Sequence, residues 1–309
     1  MPELPEVEYT ARQLRAVVVG ATIHQARVFW ERSIQHPALP DFIAETAGRR
    51  IEGVRRRGKL LLLDLQGDLF LSIHRRMTGN FLLLPPGWTI DTSSREQDIA
   101  SWNTRGPTIH LNTAVSSAAS HETRHCRVCF IFEDGRCLLF TDPRKFGRIE
   151  LWPCSQEEEA FAGLGPEPLS EMFTLERFSA ALSSKKTAIK KVLLDQEVVA
   201  GIGNIYADEA LFYACIHPSR QSYTLNPQEQ QLLHEGIVSV LTLGIEHGGT
   251  SFSDYRDLWG EAGENFNHVR VYHQEGKPCQ RCGSIIKRTV IAQRSSHYCP
   301  TCQRVKSYV

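Results

Sequence analysis

Residues 187–212 read TAIKKVLLDQEVVAGIGNIYADEALF. The first part, TAIKKVLLDQ, carries apolar and polar residues at helical spacing. The last part, NIYADEALF, has the same character and begins at Asn204. Between them lies a glycine turn, GIG, whose missing side chains let another backbone come close. The order is therefore helix, two turns, helix. The unpaired N–H groups at the start of the second helix form a ready anion site. A Gly-x-Gly turn also occurs as plain structure, and Lys190 in the first helix also reads as a solvated side chain.

On either side of this stretch, residues 160–265 read as a helical domain. LERFSAALSS is amphipathic. NPQEQQLLHEGIVSVLTLGIEHGG has Asn226 as N-cap, Pro227 in the first turn and glycines at its end. Residues 1–153 differ. One helix, EVEYTARQLRAVVVG, carries Val7, Leu14, Val17 and Val18 on one face and stops at Gly20. Short strand-like runs follow: ATIHQARVFW, KLLLLDL, DLFLSIH, NFLLL, RVCFIF, RCLLFTD and GRIELW. Runs of this kind predict a β-sandwich or barrel. The stretch at about 85–124 lacks periodicity and reads as a surface insertion, partly disordered. The fold class is α+β.

Residues 266–309 form a third unit. Cys279-Gln-Arg-Cys282 and Cys299-Pro-Thr-Cys302 are two knuckles separated by sixteen residues. Four thiolates at this spacing close a tetrahedral Zn²⁺ site with no open position, so one structural zinc is expected. So small a unit needs the metal to fold. Its Arg270, Lys277, Arg281, Lys287, Arg288, Arg294, Arg304 and Lys306 face Glu275 alone, which suits a phosphate clamp. Cys126-Arg-Val-Cys129 is rejected as a ligand pair, because residues three apart on a strand face opposite sides. Cys137, Cys154 and Cys215 read as core residues.

Lys+Arg and Asp+Glu are both 35 in 309 residues, so any basic surface must come from local clustering. Arg49, Arg50, Arg55, Arg56, Arg57 and Lys59 form one cluster, either a solvated edge or a groove wall. No apolar stretch is long enough for a membrane span and no signal peptide is evident. A reducing, cytoplasmic compartment is expected, with cysteines as ligands or buried hydrophobes and not as a disulfide framework. DPRKFG, residues 142–147, follows a strand and turns at Asp-Pro and Gly147. Arg144, Lys145 and Phe146 then sit at an exposed tip, where an apolar wedge can replace a displaced base. Met77 in HRRMTG is a second such candidate, with ordinary core as its alternative.

The chain begins MPELPEVE. Removal of Met1 would leave Pro2 as a free secondary amine, with a reference pKa of about 7.7–8.0. A neutral secondary amine attacks a sugar anomeric carbon to give an iminium ion, and Glu3 beside it can move protons. Pro5 and the glutamates equally suit a capped helix start with no chemistry.

MPELPEVE, GKLLLL, HRRMTG, DPRKFG, residues 187–212, GGTSFSDY and GKPCQRCG…YCPTCQ occur in the order seen in formamidopyrimidine-DNA glycosylases, and the chain resembles that family over nearly its whole length. The resemblance implies an N-terminal β-sandwich (1–153), a helix-two-turn-helix domain (160–265) and a zinc-finger hairpin (266–309), with double-stranded DNA between the domains. It implies a bifunctional enzyme of base-excision repair. Such an enzyme excises oxidised purines and then cleaves the strand at the abasic site. Carried onto this sequence, Pro2 is the nucleophile and Glu3 the general acid/base. Lys59, His74, Asn204 and Arg294 hold phosphates, with Lys59 and Arg294 at the catalytic centre. Lys190 and Lys145 add DNA contacts, and Met77, Arg144 and Phe146 fill the gap. Glu6 is a structural or relay carboxylate, while Tyr206 and Glu209 shape the pocket. GGTSFSDYRDL begins the base-capping loop. A monomer in the bacterial cytosol, without a membrane, fits this picture. Arg75 replaces a usual leucine, Lys145 a usual arginine, and His273-Gln274 a usual Gly-Arg; the insertion has no family counterpart. An endonuclease VIII-like enzyme for oxidised pyrimidines and a silent damaged-DNA-binding relative are the rival expectations.

Overall fold

The structure, a computed structural model, describes residues 2–91, 108–111, 123, 125–252 and 254–305. They group into two compact units. The first holds Pro2, Glu6–Phe161 and Thr250–Gly263; the second holds Glu3–Pro5, Ala162–Gly249 and the residues from Glu264 onward. Thr250–Gly263, assigned from the sequence mainly to the helical domain, thus groups with the sandwich.

In the first unit, α1 (Leu4–Val18) precedes β1 (Ile23–Val28), β2 (Ile34–His36) and α2 (Leu39–Thr46). Nine further strands follow: β3 (Ile51–Arg57), β4 (Leu60–Leu65), β5 (Leu69–His74), β6 (Asn80–Leu84), β7 (Trp88–Asp91), β8 (Thr108–Leu111), β9 (Cys126–Phe132), β10 (Cys137–Thr141) and β11 (Arg148–Pro153). One sheet runs β1-β9-β10-β6 and the other β2-β11-β5-β4-β3. Alternation fixes what lies inside. Leu61, Leu63 and Leu65 of the leucine run share one core with Val128, Phe130 and Phe132 of β9 and with Val7, Ala11, Leu14 and Val18 of α1.

The outer face of the four-stranded sheet is also apolar. Leu82, Leu84, Cys126, Cys129, Cys137 and Leu139 form a second cluster there, joined by Ile109 and Trp88. Those two residues belong to the β7–β8 ribbon, which lies within the insertion. The rest of the insertion lies outside the described residues. Cys126 and Cys129, expected on opposite faces, share this cluster. The pairing of β9 with β10 skips Arg127, and such a bulge reverses the alternation. The sulfurs of Cys129 and Cys137 meet within this cluster, and both residues are buried as core side chains. Cys154 and Cys215, expected in the core, are exposed.

The second unit contains α3 (Leu175–Ser184), α4 (Ile189–Leu194), α5 (Asn204–Tyr213) and α6 (Pro227–Glu246). It ends in a hairpin of β12 (Lys287–Ile291) and β13 (Arg294–Tyr298). Thus α4, the glycine turn and α5 give the helix-two-turn-helix. Asn226 caps α6 through a reciprocal box: its side chain accepts from Glu229 N–H, and the Glu229 carboxylate accepts from Asn226 N–H. No helix among the described residues is long and apolar enough to cross a membrane. Asn226→Ala removes one half of the box. Its expected cost is about 1 kcal/mol of stability, read by chemical denaturation.

Candidate active site and nucleic-acid interface

The second unit seats the residues that follow Pro2. Glu3 is buried, and its carboxylate accepts from the backbone N–H groups of Gly203 (2.8 Å), Ile205 (3.0 Å) and Tyr206 (3.3 Å). The anion at the start of α5 is therefore the chain's own Glu3. Leu4 N–H donates to Gly201 O at 3.0 Å. The glycines are required by this approach: a Cβ on Gly203 would lie 2.3 Å from Glu3 Cδ, and one on Gly201 2.7 Å from Leu4 Cβ. Asn204 opens α5 as expected, and its side chain is hydrogen-bonded to Tyr272. Its Oδ1 is buried with no protein partner among the described residues. Pro2 itself is buried and belongs to the first unit.

In the first unit Lys59 lies in the β3–β4 turn, beside Leu60, which pairs with His74 at the end of β5. Arg148 at the start of β11 pairs with His74 from the other side. Lys59, His74, Arg76 and Arg148 thus gather at one end of the sheet. Sequence reasoning missed Arg76 and Arg148, because only strand register brings them there. Burial, then the charges of Arg76, Lys59 and Arg148, pulls the His74 pKa down to about 3. Its Nδ1 accepts from Arg76 N–H at 2.9 Å, which leaves Nε2–H as a neutral donor. Within the earlier cluster at residues 49–59, Arg55 binds Asp64 and Glu157, and Arg56 binds Glu8.

Met77, Arg144 and Phe146 come together. Met77 is 37% exposed and Phe146 51%. Arg144 Nη1 lies 3.1 Å from Met77 Sδ, and its guanidinium lies 5.0 Å from the Phe146 ring centroid. The core alternative for Met77 is thereby set aside. Asp142 organises both loops. Its Oδ1 is bonded by Thr78 Oγ1 and by Arg144 N–H, and its Oδ2 accepts from Gly147 N–H at 2.7 Å. Arg76 and Lys145, one in each loop, take φ of 53° and 60°, in the left-handed region. Lys145 does not join the trio: its ammonium sits 4.2 Å from the Trp30 ring centroid.

Lys190, expected among the DNA-contacting residues, lies in the interior of the second unit. Lys190 is fully buried, with Nζ 2.6 Å from Asp208 Oδ1 and 2.6 Å from Ser295 O. A charge buried this deeply needs such partners to offset its lost hydration. Asp208, unnoticed in the sequence, also accepts from Ser296 Oγ and His297 N–H. Glu209 accepts from the N–H groups of Arg270, Val271 and Tyr272 at 2.8–2.9 Å. Tyr206 lends its N–H to Glu3, while its ring packs on Gly244 and lines a cavity of about 380 Å³ with Glu209 and Phe212. Two adjacent acids of α5 therefore hold the finger. Arg294 is exposed where the β12–β13 hairpin turns. Glu6 is buried in α1 and accepts from Thr250 N–H at 2.8 Å.

The sulfurs of Cys279, Cys282, Cys299 and Cys302 all lie within 4.8 Å of one another. Zn–S bonds of about 2.3 Å fit that spacing. Backbone N–H groups of Arg281 and Cys302 point at Cys279 and Cys299 sulfurs, each at 3.4 Å, as an outer shell for thiolates. The set fits one structural zinc.

Gly203→Ala drives a methyl group into the Glu3 carboxylate. The expected result is loss of about 10²-fold or more in any activity needing Pro2 and Glu3, read as single-turnover rate. For His74, an NMR titration is expected to show no imidazole protonation between about pH 8 and pH 5. With the folded value lowered, its contribution to stability is full above the unfolded value of about 6.5 and is lost as pH falls below it.

The comparisons with known proteins agree with this geometry. Residues 1–149 match the formamidopyrimidine-DNA glycosylase N-terminal domain, residues 164–256 that family's H2TH domain, and residues 276–305 the zinc finger found in FPG and IleRS. The formamidopyrimidine-DNA glycosylase of Roseiflexus sp. (strain RS-1) is 41% identical, over 98% of this chain and 100% of the relative. A Lactococcus lactis FPG variant, solved with a Fapy-dG containing DNA, has a TM-score of 0.82 and 33% identity, covering 98% of this chain and all of that one. The Lactococcus lactis Fpg with an abasic site containing DNA gives 0.82 and 32% at the same coverage. With three domain models matched in order and the N-terminal carboxylate seated in the H2TH turn, the chain belongs to the formamidopyrimidine-DNA glycosylase family.

Proposed function

We propose that this protein excises oxidised purines, 8-oxoguanine and formamidopyrimidines, from double-stranded DNA and then cleaves the strand at the abasic site. The observation that carries the reading is the Glu3 carboxylate held by three N–H groups, directly following Pro2 in the chain. With Met1 removed, the Pro2 nitrogen attacks C1′ of the damaged nucleotide, and the base leaves with the electrons of the glycosidic bond. The ring oxygen leaves C1′ with a proton, and a C1′ iminium forms. Loss of the C2′ proton then expels the 3′ phosphate, and a second elimination expels the 5′ phosphate. Glu3 moves the protons at the sugar. Lys59, His74, Arg76, Arg148, Asn204 and Arg294 hold backbone phosphates, His74 as a neutral donor. Met77, Arg144 and Phe146 occupy the gap left by the extruded nucleotide. The zinc, held by Cys279, Cys282, Cys299 and Cys302, supplies folding free energy to the finger. The protein works as a monomer in a bacterial cytoplasm.

A cleavage panel of 8-oxoguanine:cytosine, thymine glycol and abasic duplexes tests the substrate class. The 8-oxoguanine duplex is expected to be cut faster than thymine glycol by about tenfold or more. Preference for thymine glycol would overturn the purine assignment. Borohydride is expected to trap a covalent adduct on the abasic duplex. Residues retained ahead of Pro2 make its nitrogen an amide and abolish the adduct and both cleavage steps.

A further inference from the structure

We infer that Arg75 is a positioning residue that joins the Met77 turn, α1 and the Thr250–Gly263 segment into one rigid body, and that base excision depends on it more than strand cleavage does. The inference rests on the function proposed above. Arg75 is 1% exposed. Its guanidinium makes bonds in three directions. Nε donates to Gly79 O at 2.8 Å, and Gly79 N–H returns a bond to Arg75 O at 3.0 Å, so the turn carrying Met77 is closed from both ends. No side chain fits at Gly79, where a Cβ would lie 2.5 Å from Arg75 O. Nη1 donates to Thr10 Oγ1 at 2.8 Å, and Thr10 Oγ1 donates to Glu6 O in the first turns of α1. Nη2 donates to Asn80 Oδ1 at 2.6 Å and lies 3.4 Å from Arg256 O.

Asn80 completes the junction. Its Nδ2 donates to Asp254 O at 2.6 Å and its Oδ1 accepts from Arg256 N–H at 3.2 Å. The Tyr255 ring lies 5.2 Å from the Arg75 guanidinium carbon, and Thr250 N–H binds Glu6. The helix that follows Pro2, the turn that presents Met77 and the segment at 250–256 therefore meet at one buried guanidinium. A leucine there would supply none of these donors and would leave several buried acceptors without them.

Extruding a paired, stacked base is the costly step and needs Met77 held in register; an abasic site has no base to extrude. Arg75→Leu is therefore expected to slow 8-oxoguanine excision by about 10- to 100-fold while cleavage of a preformed abasic duplex stays within about threefold. Hydrogen exchange is expected to accelerate at residues 76–79 and 254–256 in the variant. Equal losses on both substrates, or unchanged excision and exchange, would overturn the inference. If Arg75→Leu does not fold, Asn80→Ala decides: it removes the Asn80 bonds to Arg75, Asp254 and Arg256 and leaves the Arg75 bonds to Gly79 and Thr10, and the same split between the two substrates is expected, with an equal loss or no loss overturning the inference. A wild-type protein that fails on 8-oxoguanine would refute the proposed function, and the exchange measurement still reports on the junction.

Discussion

The Glu3 carboxylate accepts from Gly203, Ile205 and Tyr206, and the Leu4 N–H donates to Gly201, so residues 3 and 4 are fixed by side chain and backbone together. A helix N-terminus favours an anion by its dipole and by its unpaired donors. Here the anion is internal, and occupancy of that site sets where the chain's first residues can lie. Glycine at 201 and 203 follows directly, since a β-carbon at either would collide with the seated segment. Residues 3 and 4 are thus held in one preorganised arrangement.

Zero net charge and recognition of a polyanion are reconciled by how the cations are used. Arg55, Arg56, Lys190 and Arg220 are tied to carboxylates. Lys59, Arg76 and Arg148 surround His74, and Arg144 leans on exposed Met77 and Phe146. Local potential, not total charge, governs attraction to phosphates.

Local signals were legible in the sequence. The Cys knuckles, the Asn226 cap, the glycine turn and the exposed tip of DPRKFG each depend on residues close in the chain, so spacing suffices to read them. Partners remote in sequence were not legible. Lys190 reads as solvated until α5 brings Asp208 against it, and the bonds from Glu209 to residues 270–272 have no local signal in the sequence. Arg148 gains a role only through strand register. The Cys126–Cys129 face was misjudged because a bulge is set by the pairing strand and not by the bulged one. Arg75 showed as a departure whose partners lie in three separate parts of the chain, the Met77 turn, α1 and residues 254–256.

The β7–β8 ribbon has a consequence for chain length. Trp88 packs on the outer cluster and its Nε1–H donates to Gly135 O, while Thr108–Leu111 pairs back along Trp88–Asp91. The two ends of the intervening chain are therefore clamped side by side before that chain begins. Closing a loop across such a stem depends only logarithmically on its length. Sequence between Asp91 and Thr108 can then lengthen or shorten at little cost to the sandwich, which makes this stem a natural socket for carrying extra polypeptide.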